Sequence, residues 1–182
     1  MKISAEDKAK LVSLARAAVE SVVTGSAPPE PSKKTGLLGE RLGCFVTLTN
    51  SGRLRGCIGT FQPQSSLVQT IIEMGQAAAA DPRFPHDRIS PSELDELTVE
   101  VSVLSPLVET DDPQSLEIGK HGIYVMTAMG SGCFLPEVAT DMGWSAEEFL
   151  SHCCQGKAGV SPNAWRSSDA RVYLFTSEKF DH

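Results

Sequence analysis

The apolar positions of this chain switch between two periods. From residue 4 to 22 they recur at helical spacing, with Leu11, Ala15, Ala18, Val19 and Val22 on one face. Ser4 stands ahead of that run with Asp7 three residues on, an approximate capping box. Residues 24–39 lose the pattern. They are rich in Gly, Pro, Ser and Lys and read as a long exposed loop. The period then drops to two. Residues 44–49 and 53–58 read as strands joined by Asn50, Ser51 and Gly52, a three-residue connection with glycine last, as in a hairpin with a bulge. Residues 65–80 return to helical spacing. Asp81 and Pro82 stop them, because proline disfavours helical geometry in the residue before it. Ser90, Pro91 and Glu93 make a compact helix start. In the strand 98–104, Val99, Val101 and Val103 face one way, Glu100 and Ser102 the other. Residues 122–127 and 133–135 predict a second hairpin, Ser145 to Glu148 a capped helix start, and 172–175 a short last strand.

Hairpins mixed with helices predict an α+β fold, a mainly antiparallel sheet flanked by helices. A smaller C-terminal lobe, about residues 105–165, is expected beside it, with a cleft between the two parts as the natural site. The 182 residues suit a single domain, and an apolar content of 41% supports a core. No apolar run approaches the ~20 residues of a membrane span. The start MKISAEDKAK carries both charges and lacks the apolar centre of a signal peptide. A cytoplasmic protein without a membrane partner is expected. A net charge of -7 and a pI near 5.1 argue against nucleic acid as a partner and leave room only for a local basic pocket. The five cysteines, at 44, 57, 133, 153 and 154, are odd in number with two adjacent, so free thiols are expected rather than a disulfide framework.

Candidate chemistry concentrates on the first hairpin. Pairing its strands across Asn50, Ser51 and Gly52 sets Leu54 opposite Leu48, Arg55 opposite Thr47 and Cys57 opposite Phe45. One face then carries Cys44, Val46, Leu48, Leu54 and Ile58 as core, the other Phe45, Thr47, Arg53, Arg55 and Cys57. Arg55 and Cys57 would stand roughly 6–7 Å apart along the strand, where an arginine favours the thiolate. Gly56 and Gly59 leave bare backbone, as where a ligand approaches closely, and Thr60 adds a hydroxyl. A plainer account stands beside this one. A strand cysteine serves more often as a small buried hydrophobe, Arg55 as a surface charge, and the glycines as relief from crowding.

Other candidates carry the same two readings. Asp81 stops a helix, and Arg83 either pairs with it or with the sheet, or offers a fork to an anion. Glu100 is either solvated, or a general base or an ion partner for Arg55 or Arg83. His121 and His86 are turn residues or partners for Cys57. His152, Cys153 and Cys154 are consecutive on a helix and diverge, so no metal site is expected. Neither a P-loop nor GxGxxG is present, and no cofactor is expected. Trp144 and Trp165 are expected in the core of the smaller lobe.

The run from Leu54 to Thr60, LRGCIGT, resembles the signature of the AMMECR domain family, and the chain is similar to system protein A of the Amme-Memo-radical-SAM set. The resemblance runs from about Leu38 to Phe175. It is carried also by residues 44–48, Ala79, the Asp81 to Pro85 run, residues 97–106, Gly119, Gly122, residues 134–136 and 157–159, and Trp165. It implies an α+β fold of two parts and a cleft gathering the family's shared residues. Glu137 stands where glutamine is expected, and the Cys153 to Lys157 stretch is one residue longer than the family pattern. Cys57, Arg55 and Glu100 are thus the candidate catalytic residues. Gly56, Gly59, Thr60, Asp81, Arg83, Phe84, Phe134 and Pro136 are the candidate substrate-binding residues. Two functions follow. One is a thiol-dependent enzyme or enzyme component acting on a small anionic substrate. The other is a non-catalytic binding or accessory module working with the Memo-type and radical-SAM proteins that the resemblance implies as partners.

Overall fold

The first helix, α1 (Ala5–Thr24), begins where Ser4 accepts the Asp7 N–H at 3.1 Å and ends at Gly25, in the left-handed region at φ 71°. The structure, a computed structural model, describes residues 2–31 and 35–181. Residues 32–34 of the expected 24–39 loop lie outside the described residues. The remainder of that loop is not wholly exposed. Gly36–Gly39 forms a short 3-10 turn that buries Leu38. No described helix is long and apolar enough to cross a membrane.

The fold is α+β, with two antiparallel sheets rather than one. The chain divides into two compact units. One runs to Leu104 and takes back the chain from Glu178 onward. The other is Ser105–Ser177. The first contains β1 (Cys44–Asn50), β2 (Arg53–Thr60), α2 (Leu67–Ala79), β3 (Leu97–Leu104) and, at the chain's end, β8 (Ser177–Asp181). Its sheet has the order β2-β1-β3-β8. Cys44, Val46 and Leu48 of β1 and Val99, Val101 and Val103 of β3 pack in one cluster with Leu11, Ala15 and Val19 of α1 and Leu67, Val68 and Ile71 of α2. Full burial of each aliphatic side chain contributes about 1.5–3 kcal/mol. This cluster fixes which sheet face meets the helices.

The hairpin differs from its expected geometry in two ways. The connection is a two-residue turn. Ser51 (φ 51°) and Gly52 (φ 78°) are both left-handed, and Asn50 pairs with Arg53. Positive φ at both positions fits a type I′ turn, whose twist matches that of the strands. The bulge sits inside β2. Leu48 faces Gly56 while Thr49 faces Leu54, so Arg55 is the extra residue. Cys57 therefore opposes Thr47, two residues from the expected register. The bulge also reverses the faces of the residues before it. Leu54, expected in the core, pairs with Thr49 and is 38% exposed. Cys44, Val46, Leu48 and Ile58 keep the expected core face.

The second unit contains β4 (Val108–Thr110), β5 (Gly122–Met126), β6 (Ser131–Phe134), α3 (Pro136–Met142), α4 (Ala146–Cys153) and β7 (Arg171–Phe175). Its sheet has the order β4-β7-β5-β6. Ile123, Val125 and Val172 pack with Phe149 and Leu150, and Trp144 and Trp165 join that core as expected. The Ser145 and Glu148 capping box opens α4. The helix then passes into a π-helical turn, Cys154–Ala158, closed by the Gly159 N–H on the Cys154 carbonyl. A π turn closes over one residue more than an α turn.

Candidate functional site

The outward face of the first sheet is polar at its middle. Cys57 on β2, Thr47 on β1 and Glu100 on β3 stand in one cross-strand row. Cys57 Sγ lies 3.3 Å from Thr47 Oγ1, and Glu100 Oε1 lies 3.3 Å from Lys179 Nζ on β8. The next row holds Gly59, Phe45 and Ser102. Neither glycine of β2 lies bare for a ligand. A Cβ at Gly56 would stand 2.1 Å from the Ala78 carbonyl oxygen, because the end of α2 rests on the strand. A Cβ at Gly59 would stand 2.2 Å from the Phe45 ring, which itself meets Phe61 edge to face at 5.2 Å. Both positions are small because the protein's own atoms fill the space.

β2 is also an edge strand, whose outer amides and carbonyls invite other strands unless covered. At Cys57 two side chains cover them. Asp81 accepts the Cys57 N–H at 3.0 Å, and Arg83 Nη2 donates to the Cys57 carbonyl at 2.9 Å. Arg83 also binds Asp81 through its backbone N–H at 3.0 Å, Nε at 3.1 Å and Nη2 at 2.6 Å. The Arg83 side-chain hydrogen bonds, helped by the two backbone amides, hold the Asp81 carboxyl well below the usual carboxylate range despite its burial. The Asp81 side chain is 0% exposed, whereas that of Arg83 is 57% exposed. Phe84 closes this turn. Its N–H donates to the Asp81 carbonyl at 3.1 Å, and its ring centroid lies 5.8 Å from the Arg83 guanidinium.

Arg55 turns to a different set of partners. Its side chain is 4% exposed, with Nη1 2.7 Å from Asp87 and Nη2 3.0 Å from Glu93. Arg53 shares Asp87. Glu93 also accepts the Ser90 N–H at 2.8 Å, completing the box read from the sequence. The Asp87 hydrogen bond leads the rise in the Arg55 pKa, and the Ser90 amide leads the fall in that of Glu93. The expected pairing of Arg55 with Cys57 on one strand face is therefore corrected. A bulge re-aims the side chain it carries, and this one gives Arg55 to two carboxylates. The polar neighbours of Cys57 are Thr47, Asp81 and Arg83.

The remaining candidates have local roles. Thr60 ends β2 half-buried, opposite Cys44. Phe134 and Pro136 belong to the second unit. Phe134 stacks on Phe149 with centroids 5.6 Å apart and carries Lys157 Nζ 5.5 Å from its ring, while Pro136 is buried at the start of α3. Glu137 falls in the first turn of the same helix, where a carboxylate suits the dipole. His121 Nδ1 accepts the Glu117 N–H at 3.0 Å as a turn residue, and His152 stacks on Trp144 at 4.1 Å. Among the described residues no group of three or more His, Cys, Asp or Glu side chains is placed to hold a metal ion. Lys179, Asp87 and the Arg55–Glu93 pair escaped the sequence reading. Glu93 gave a signal as a capping residue, but none as an ion partner.

Burial pushes the Cys44 thiol up to about 12 and raises those of Cys133, Cys153 and Cys154. Native-state alkylation followed by peptide mapping is therefore expected to modify Cys57 first. Cys44, Cys153 and Cys154 should react only as the protein opens. Fast labelling that survives in Cys57→Ser would contradict this ordering.

Comparison with known proteins agrees with this architecture. The AMMECR1 family model matches residues 12–180. Protein MK0488 of Methanopyrus kandleri is 41% identical, with 99% of this chain and 90% of that protein covered. Protein TK0174 of Thermococcus kodakarensis is 44% identical, with 94% of this chain and 88% of that protein covered. The crystal structure of the uncharacterised protein PH0010 of Pyrococcus horikoshii superposes with a TM-score of 0.87 at 39% identity, covering 100% of this chain and 94% of that one. The family match, the relatives and the shared fold lead to one conclusion: the chain belongs to the AMMECR1 family.

Proposed function

We propose that the β2 edge at Cys57 binds a small anionic ligand, and that the protein is a binding or accessory module rather than a catalyst. One observation carries this reading. The exposed Arg83 guanidinium is held beside Cys57 by a buried carboxylate, and its Nη1 takes no part in the bonds that hold it. A planar fork fixed before the ligand arrives loses little entropy on binding a carboxylate or phosphate. Thr47, Cys57, Glu100 and Lys179 extend a polar surface from that point. In this reading Gly56, Gly59 and Thr60 shape the strand, Phe84 backs the guanidinium, and Cys57 supplies shape rather than a nucleophile. A cytoplasmic module that holds a small anion suits the Memo-type and radical-SAM partners implied by the family resemblance.

A second reading keeps Cys57 as nucleophile, with Glu100 as proton carrier. Its support is that Cys57 is only half-buried and that its sulfur touches a hydroxyl. Two neighbours weigh against it. Arg55 is committed to Asp87 and Glu93, and Arg83 reaches the Cys57 carbonyl rather than its sulfur. The test is calorimetric titration of the full chain with inorganic phosphate, pyrophosphate and short dicarboxylates. Binding by at least one of these is expected to survive in Cys57→Ser and to weaken about tenfold or more in Arg83→Gln, a loss of about 1.4 kcal/mol. The reverse pattern would favour the thiol reading, and equal affinity in all three proteins would remove the Arg83 site.

A further inference from the structure

We propose that the turn end of the first hairpin carries a second binding site, for a small oxyanion, distinct from the Arg83 edge. A cavity of about 330 Å³ opens there, lined by Ser51, Arg53, Arg55, Asp87, Arg88 and Glu93. That volume is at the small end of ligand pockets, which run from about 300 to 1,000 Å³. Three guanidinium groups face two carboxylates. Arg55 spans both acids, and Arg53 shares Asp87. The Arg88 side chain makes no hydrogen bond or ion pair with the described residues. One positive charge is thus left over in a concave site on a chain whose net charge is -7.

Hydrogen bonding repeats the imbalance. The cavity is rich in N–H donors, and its two carboxylates are already engaged. Asp87 binds two arginines, and Glu93 binds Arg55 and the Ser90 amide. Even the buried Arg55 Nε has no hydrogen-bond partner among the described residues. The Arg53 side chain is 70% exposed at the rim, with donors to spare. An oxyanion supplies the acceptors and the negative charge that the lining lacks, and guanidinium forks match carboxylate and phosphate geometry alike. The walls are regular backbone elements. They are a two-residue turn, a bulge and the capped start of the 3-10 helix Pro91–Glu96. No lining residue belongs to the Asp81 and Arg83 pair, so the two sites fail or succeed separately.

The test is an amide NMR titration of the full chain with sodium phosphate and, separately, sodium acetate, at constant ionic strength. Saturable shifts are expected at Ser51, Arg53 and Arg88 with a dissociation constant of about 1 mM or tighter. The stronger of the two titrants tells a phosphoryl ligand from a carboxylate. The Arg53→Gln/Arg88→Gln double variant removes only exposed groups and leaves Arg55 in place. It should weaken binding about tenfold or more, whereas Arg83→Gln should leave these shifts unchanged. Three results would overturn the proposal: no saturable shift with either anion, equal shifts in the double variant, or shifts at Ser51 abolished by Arg83→Gln.

Discussion

Replacing Gly56 by alanine is expected to destabilise the protein by about 3 kcal/mol or more, at or beyond the top of the typical range for overpacking. The added carbon would sit 2.1 Å from the Ala78 carbonyl oxygen and 3.0 Å from its carbon. Both are backbone atoms, so no side chain can rotate out of the way. Relief requires α2 to lift from β2, and that contact closes the core at this edge of the sheet. The strain also falls between the Arg55 bulge and Cys57, so the candidate site should loosen with the fold. Gly156→Ala is the matching control. A Cβ there meets nothing within 4 Å and its φ is not positive, so a change within about 0.5 kcal/mol is expected. Urea unfolding checks both. A lower midpoint at unchanged slope is expected for Gly56→Ala, and a midpoint equal to wild type would show that the strand and helix are not in contact.

The second large effect is expected at Asp81. Asp81→Asn keeps the shape and its one oxygen can still accept the Cys57 N–H, but its NH2 then faces the Arg83 N–H donors that Oδ1 accepted, and the bonds left to Arg83 lose their charge assistance. A loss of about 1.5–3 kcal/mol at neutral pH follows. The pH dependence has a definite sign. The folded-state pKa of Asp81 is depressed, so its contribution is complete above the unfolded value of about 3.9 and is lost as pH falls from there through the lower folded value. The stability gap between wild type and Asp81→Asn should therefore narrow below about pH 4. Denaturation curves at stepped pH measure that gap. A gap constant down to pH 2 would mean that the Asp81 charge is not what holds the β2 edge.

Alternation along β1 and β3 is strict in the sequence, and the core faces of Cys44, Val46, Leu48, Val99, Val101 and Val103 were legible from it. Caps were legible for the same local reason, as at Ser4, Ser90 and Ser145. The position of the bulge was not. Asn50, Ser51 and Gly52 fit either a two-residue or a three-residue connection, and an extra residue at Arg55 leaves no mark on composition. That one residue moves the register, exposes Leu54 and sends Arg55 to Asp87 and Glu93. The three-residue strand β4 gave too few alternations to read, and β8, SEKFD, has a single apolar residue and so no alternation to follow, although it brings Lys179 to Glu100. The roles of Gly56 and Gly59 depend on Ala78 and Phe45, contacts between segments that sequence spacing does not encode. Asp81 was visible as a helix stop. Its bond to an edge-strand amide 24 residues away was not.

The central claim is that the Asp81-held guanidinium of Arg83 makes the β2 edge at Cys57 a binding site for an anion. Its most direct test is a crystal structure of the full chain grown with pyrophosphate. The expected result is density for the anion within hydrogen-bond distance of Arg83 Nη1, beside Cys57, with the Arg83–Asp81 and Arg83–Cys57 bonds intact. A well-ordered anion bound elsewhere in the molecule, with the Arg83 edge empty, would contradict the claim.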